Sequence, residues 1–133
     1  MAIIEKWDIV RWPRFKPDEF TCRCGCGSNE MDAQFIDKLQ SIRNEINYPM
    51  LVTSGYRCPD YNQEVSSTGP HGPHTTGKAC DIAIAGNYTY RLLFAAFKAG
   101  MTGIGIKQKG SIASRFIHLD TLVTPPRPNI WSY

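Results

Sequence analysis

The stretch Gly72-Pro-His-Thr-Thr-Gly-Lys-Ala-Cys-Asp-Ile82 constrains this chain more than any other. It sets His74 and Asp81 seven residues apart, with Gly77 between them. A turn at a residue without Cβ lets the backbone double back. A loop histidine can then meet an aspartate on the strand that follows. Imidazole nitrogen and carboxylate oxygen are both good zinc ligands, at about 2.0–2.2 Å. The third candidate is His118, in Arg115-Phe-Ile-His-Leu-Asp120, which reads as another strand. Three protein ligands and one open position is the pattern of a catalytic zinc.

The rest of the chain can be read around that requirement. Residues 1–27 carry Trp7, Trp12, Phe15 and Phe20 among prolines and read as an irregular arm that packs by its aromatics. Ser28 or Asn29 can cap a helix beginning near Met31. Met31, Phe35, Leu39, Ile42 and Ile46 advance by three or four residues and make one apolar face. Asn47-Tyr-Pro49 stops it, since proline disfavours helix in the residue before it. Met50–Tyr56 reads as a strand, Arg57-Cys-Pro-Asp60 opens a short helix to about Val65, and 66–73 is a polar loop that delivers His74. Lys78–Ala85 alternates well enough for a half-buried strand. Tyr88–Ala99 is a second long helix with Leu92, Leu93, Ala96 and Phe97 inward and Gly100 past its end. In the strand Thr102–Lys107, Gly103 and Gly105 share a face that another chain segment can approach closely. Residues 114–121 carry His118, and Asp120, two residues on, shares its face. The tail 124–133 has no period and reads as extended, with Trp131 as its anchor.

This order of elements predicts an α+β fold, a mainly antiparallel sheet with helices on one side, in a single domain over 1–133. A hydrophobic content of 42% excludes a disordered chain. The net charge of +3 is spread without a basic run or stripe, so no nucleic-acid partner is expected, whereas an anionic surface such as a cell wall suits it. No apolar run approaches the ~18 residues of a membrane span. Met1–Trp7 lacks the charged and apolar regions of a secretory signal, so synthesis without a signal peptide and a cytoplasmic start are expected.

Five cysteines, Cys22, Cys24, Cys26, Cys58 and Cys80, leave at least one thiol unpaired within a monomer. The run Cys22-Arg-Cys-Gly-Cys26 hints at structural zinc, but its spacing is not that of a Cys-x-x-Cys knuckle and no second knuckle follows. A disulfide from this run to Cys58 is an open alternative. Cys80, pointing opposite to Ala79 and Asp81 in a strand, reads as a core residue.

Ser54-Gly-Tyr-Arg57, His74-x-x-Gly-x-Ala-x-Asp81 and His118-x-Asp120 together resemble the zinc D-Ala-D-Ala carboxypeptidases and endolysin peptidases of the M15 type, which share a fold with the zinc site of the hedgehog signalling domain. The resemblance extends over about residues 15–133, and Arg127-Pro-x-x-Trp-Ser-Tyr133 resembles small phage-borne members. It implies Zn2+ held by His74, Asp81 and His118, with Arg57 facing the scissile carbonyl. A guanidinium suits that place, because it presents fixed donors where negative charge develops and cannot lose its proton. Members of the family often carry a base two or three residues before the last zinc histidine, where this chain has Arg115 and Phe116. Asp120 is the nearest carboxylate, able either to take a proton or to orient a zinc histidine. His71 is a further candidate.

The expected activity is zinc-dependent hydrolysis of a peptide bond in peptidoglycan stem peptides, by a D-Ala-D-Ala carboxypeptidase or an endolysin-type endopeptidase. It would act as a monomer on bacterial cell-wall peptides after phage lysis or as a virion-associated enzyme. The alternatives are a cell-wall-binding module of the same fold with a non-catalytic zinc site, and a nonenzymatic phage structural protein.

Overall fold

A computed structural model describes residues 2–133. Among them the chain forms three α-helices, α1 (Ala33–Ile46), α2 (Pro59–Val65) and α3 (Asn87–Ala99), and five strands, β1 (Leu51–Ser54), β2 (Ala79–Ala83), β3 (Gly103–Lys107), β4 (Phe116–Asp120) and β5 (Asn129–Ser132). The strands make one sheet in the order β1-β2-β4-β3-β5. Every pairing is antiparallel except β3 with β5, which is parallel. The fold is α+β, as the element order predicts. No helix among the described residues is long and apolar enough to cross a membrane.

Strand side chains alternate between faces, and here the two faces have opposite character. Cys80, Ile82, Ile104, Ile117 and Leu119 are all at or below 1% exposed and join Ile36, Leu39 and Ile42 of α1 and Leu92, Ala95 and Ala96 of α3 in one core. The short α2 packs instead on the 3-10 turns Gly69–His71 and Pro73–Thr76. On the other face, register aligns one row across all five strands: Ser54, Asp81, His118, Gly105 and Trp131. The next row is Ala79, Asp120, Gly103 and Asn129. Ser54 joins the first row through a register slip between Val52 and Ser54, a bulge that turns the hydroxyl to the polar face.

The arm packs by its rings, as expected. Trp7 lies 4.9 Å from Trp12 and 5.9 Å from Phe20, ring centre to ring centre. It is also tied by backbone: Tyr56 N–H donates to Phe20 O (2.9 Å) and Ile4 N–H to Met31 O (2.9 Å). Gly55 is required by this contact, since a Cβ there would lie 2.6 Å from Phe20 Cα.

Several sequence expectations are corrected. The cap of α1 is Asp32, whose Oδ2 accepts from Phe35 N–H at 3.0 Å; the Asn29 amide instead donates to Pro17 O. β2 is buried along nearly its whole length rather than alternately, because the core covers one face and the polar row closes over the other. Phe97 is 55% exposed, and Thr89 and Ala95 take inward places on α3. The tail does not stay irregular: residues 129–132 become β5, an edge strand that the prolines before it concealed. No disulfide forms, and all five cysteines are free thiols.

Candidate metal centre

His74 comes from the 3-10 turn Pro73–Thr76, Asp81 from β2 and His118 from β4. The turn is closed by Gly77 at φ 75°, where any Cβ would overlap the carbonyl of Glu30. Asp81 and His118 are register partners, so the sheet itself sets them side by side. One ligating atom from each of the three lies within 4.8 Å of the others, and all three residues are buried. The separations are 3.3 Å from His74 Nε2 and 3.0 Å from His118 Nδ1 to Asp81 Oδ1.

The outer hydrogen bonds decide which nitrogens are free. His74 Nδ1 lies 2.8 Å from Gly55 O, which can only accept, so that nitrogen carries the proton and Nε2 keeps a lone pair. His118 Nε2 lies 2.8 Å from Asp120 Oδ2 and donates there, leaving the Nδ1 lone pair turned to Asp81. Burial pushes the Asp81 carboxyl up, but the neighbouring imidazoles of His118 and His74, when they carry protons on these inner nitrogens, outweigh it and hold the group well below the usual carboxylate range. Burial pushes His118 down, yet Asp120 and Asp81 together raise it. Three acceptor atoms aimed at one point are an arrangement that a divalent cation satisfies. The donor set of two imidazoles and a carboxylate fits zinc.

Asp120 is fully buried. Its Oδ1 accepts from Arg127 Nε at 3.0 Å, and its Oδ2 accepts from Arg127 Nη2 and from His118 Nε2, both at 2.8 Å. Gly103 faces it across the sheet, and any Cβ there would overlap the carboxylate. Burial raises the Asp120 carboxyl, but His118 and Arg127 hold it down, to about 2. The sequence leaves Asp120 open as a base or as an orienter of a zinc histidine, and its contacts bear on that choice. The carboxylate meets His118 at Nε2, whereas Nδ1 faces Asp81, and its oxygens are already engaged.

Arg57 stands where β1 ends. Its Nε donates to Ser54 Oγ (3.1 Å), its Nη1 to Asn62 Oδ1 (3.1 Å), and its Nη2 lies 3.8 Å from Asp81 Oδ2. Its backbone N–H donates to His74 O at 3.0 Å, which couples it to the ligand turn. These groups open into a cleft of about 480 Å³. Phe116, Trp131 and Tyr133 line it along with Ser66, Ser67 and Thr68. Among the described residues lining it, Asp81 has the only carboxylate side chain. His71 is exposed on its own turn and does not line the cleft.

Sequence reasoning did not assign roles to Arg127, Asn62 or Tyr133. A buried strand carboxylate needs a cation, which would have pointed to an arginine near Asp120, although Arg115 competes with Arg127 for that place. Asn62 had no signal, being one polar residue on a short helix. Its amide binds Thr68 Oγ1 at 2.9 Å and Gly69 O, so it links Arg57 to the loop lining the cleft.

A family model described as Peptidase M15 matches residues 13–120. No curated protein matches the chain.

Proposed function

The chain belongs to the peptidase M15 family, and from that premise we propose that it is a zinc peptidase hydrolysing a peptide bond in the stem peptides of bacterial peptidoglycan. The whole chain is taken as one peptidase domain, with His74, Asp81 and His118 as its metal ligands. The observation that carries this reading is the convergence of these three residues, beside the Arg57 guanidinium, in an open cleft. When bound there, zinc supplies electrophilic activation of a carbonyl and of a water molecule.

The chain's own residues supply the rest. Gly55 O holds His74 in the tautomer that leaves Nε2 free, and Asp120 does the same for His118 Nδ1. Asp120 is thus a positioning residue, and Arg127 keeps it charged and fixed. Ser54 and Asn62 hold the Arg57 fork, so that its donors meet negative charge on the scissile carbonyl without reorganising. Burial raises the Tyr133 phenol, which therefore keeps its proton and offers an O–H donor to a leaving amine. The aromatic wall of Trp131 and Phe116 excludes water from one side of the cleft.

Purified sacculi digested with the protein and resolved by mass spectrometry test this. Release of a terminal alanine marks a carboxypeptidase, and release of larger peptides marks an endolysin-type endopeptidase. A chelator should stop either reaction and zinc should restore it. The scarcity of free carboxylates in the cleft favours one rival, a wall-binding module with a non-catalytic zinc. Bound zinc and retention on sacculi without any new fragment would establish that rival.

A further inference from the structure

Cys22, Cys24, Cys26 and Cys58 lie away from the cleft and have no part in the reading above. Three of them occupy the turn that ends the N-terminal arm, and the fourth is the N-cap of α2, next to Arg57. Their sulfurs all lie within 4.8 Å of one another. Cys22 Sγ is 3.5 Å from Cys24 Sγ, which is 3.7 Å from Cys58 Sγ. A tetrahedral zinc with Zn–S bonds of about 2.3 Å sets neighbouring sulfurs about 3.8 Å apart. The four therefore surround one centre instead of separating into two bonded pairs, whose sulfurs would stand about 2.05 Å apart.

The backbone around the cluster is shaped for thiolates. Cys58 N–H donates to Cys22 Sγ at 3.3 Å and Ser28 N–H to Cys26 Sγ at 3.5 Å. Donors aimed at sulfur favour the ionised form that a metal needs, and such outer bonds fix ligand orientation. Gly25 and Gly27 hold φ at 93° and 78°, backbone conformations that residues with a Cβ rarely adopt, so glycine lets the chain turn tightly between and after the cysteines. The cysteine spacing of the run argued against a zinc knuckle because a second knuckle is missing. Space supplies what the sequence order lacks, since Cys58 arrives from the far side of α1 and β1.

We propose that Cys22, Cys24, Cys26 and Cys58 form a second metal site, a structural one that holds a zinc ion and fastens the N-terminal arm to the junction presenting Arg57. Four protein ligands leave no open position, which separates it from a catalytic centre. The ion bridges Cys58 to the arm, whose Phe20 O already accepts from Tyr56 N–H two residues before Cys58. Its loss would free the backbone on one side of Arg57, while His74 O still holds the other.

The double variant His74→Ala/His118→Ala removes the other set of ligands and isolates this one. Purified without added metal, it should retain about one zinc per chain. Exchange for cobalt should give the intense near-ultraviolet absorption of thiolate-to-cobalt charge transfer, which imidazole and carboxylate ligands do not produce. The wild-type chain provides a test that needs no variant. Cys24 and Cys26 are exposed, so as free thiols they would alkylate rapidly under native conditions. They should be protected until a chelator is added, while buried Cys80 stays unreactive throughout. Cys24→Ser/Cys26→Ser should lose the cobalt band and lower Tm, and should raise KM or reduce kcat only through Arg57. A double variant without zinc, rapid alkylation before chelation, or an intact mass showing disulfides would each overturn the proposal. Because zinc content and thiol protection are read without substrate, failure of the peptidase reading leaves these outcomes unaffected.

Discussion

The two clusters of candidate metal ligands flank Arg57 and are built on opposite plans. His74, Asp81 and His118 are buried, and two of them are fixed by strand register before any ion arrives. The four cysteines come from a glycine turn and a helix cap, and Cys24 and Cys26 are exposed. The first cluster is set on two strands and a turn and opens into a cleft; the second is set on a turn and a helix cap, and its four thiolates would leave a bound ion no open position. A centre that must keep a position open for substrate needs a scaffold that holds without help from the ion. A centre whose ligands are all protein can leave its folding to the ion.

The largest effect should come from the first cluster. His118→Ala should bring hydrolysis of sacculi to background while the far-ultraviolet circular dichroism stays that of the wild type. If that variant loses its secondary structure when metal is lost, the sheet does not hold the site by itself and the contrast fails. Arg57→Lys should come next, with kcat reduced by roughly 10²–10³-fold and zinc content unchanged, because the planar fork is lost and the charge is not. An unchanged kcat would remove Arg57 from the chemistry.

Asp120→Asn sharpens the same comparison within one site. It should weaken zinc affinity by about 10–100-fold, with activity recovering in excess zinc, as expected of a residue acting through His118. A fall in kcat that excess zinc does not repair would return Asp120 to the role of base. The smallest effect should be at the arm's other anchor, where Asp37 accepts from Arg11 and from Trp12 Nε1. The Arg11–Asp37 pair is nearly half exposed, and such pairs contribute little. Asp37→Asn should move Tm by a few degrees at most in a thermal melt, well short of the shift caused by losing the thiolates. An equal shift would mean that the cysteines do not hold the arm.

His74, Asp81, His118 and Arg57 could be singled out in the sequence because each carries chemistry in a short pattern, and strand alternation placed Asp120 beside His118. Gly103 and Gly105 were legible as points of close approach, and the structure shows what approaches: the Asp120 carboxylate and the indole of Trp131. What stayed hidden depends on distance along the chain. The pairing of Arg127 with Asp120 crosses a proline-rich connection with no period. β5 is an exposed edge strand in parallel pairing, so its residues never had to alternate cleanly. Cys58 meets three cysteines from beyond a helix and a strand, and no local spacing announces that meeting. Asp32 was passed over as a cap because Ser28 and Asn29 are equally good capping residues a turn earlier.

The row Ser54, Asp81, His118, Gly105 and Trp131 also governs how a chain like this can evolve. One inserted or deleted residue inside β2 or β4 would send every later side chain of that strand to the opposite face. Asp81 or His118 would then enter the apolar layer, and an isoleucine would take its place in the cleft. Drift within the strands is thus confined to replacement at fixed length. The connection 66–73 escapes that rule, since it holds no position in the ladder, and Ser66, Ser67 and Thr68 within it line the cleft. Growth or trimming there would remodel one cleft wall while Asp81 and His118 stay in place on their strands. New ligand preferences are therefore most accessible through changes in the length of that loop, and a library built to retarget the cleft belongs there.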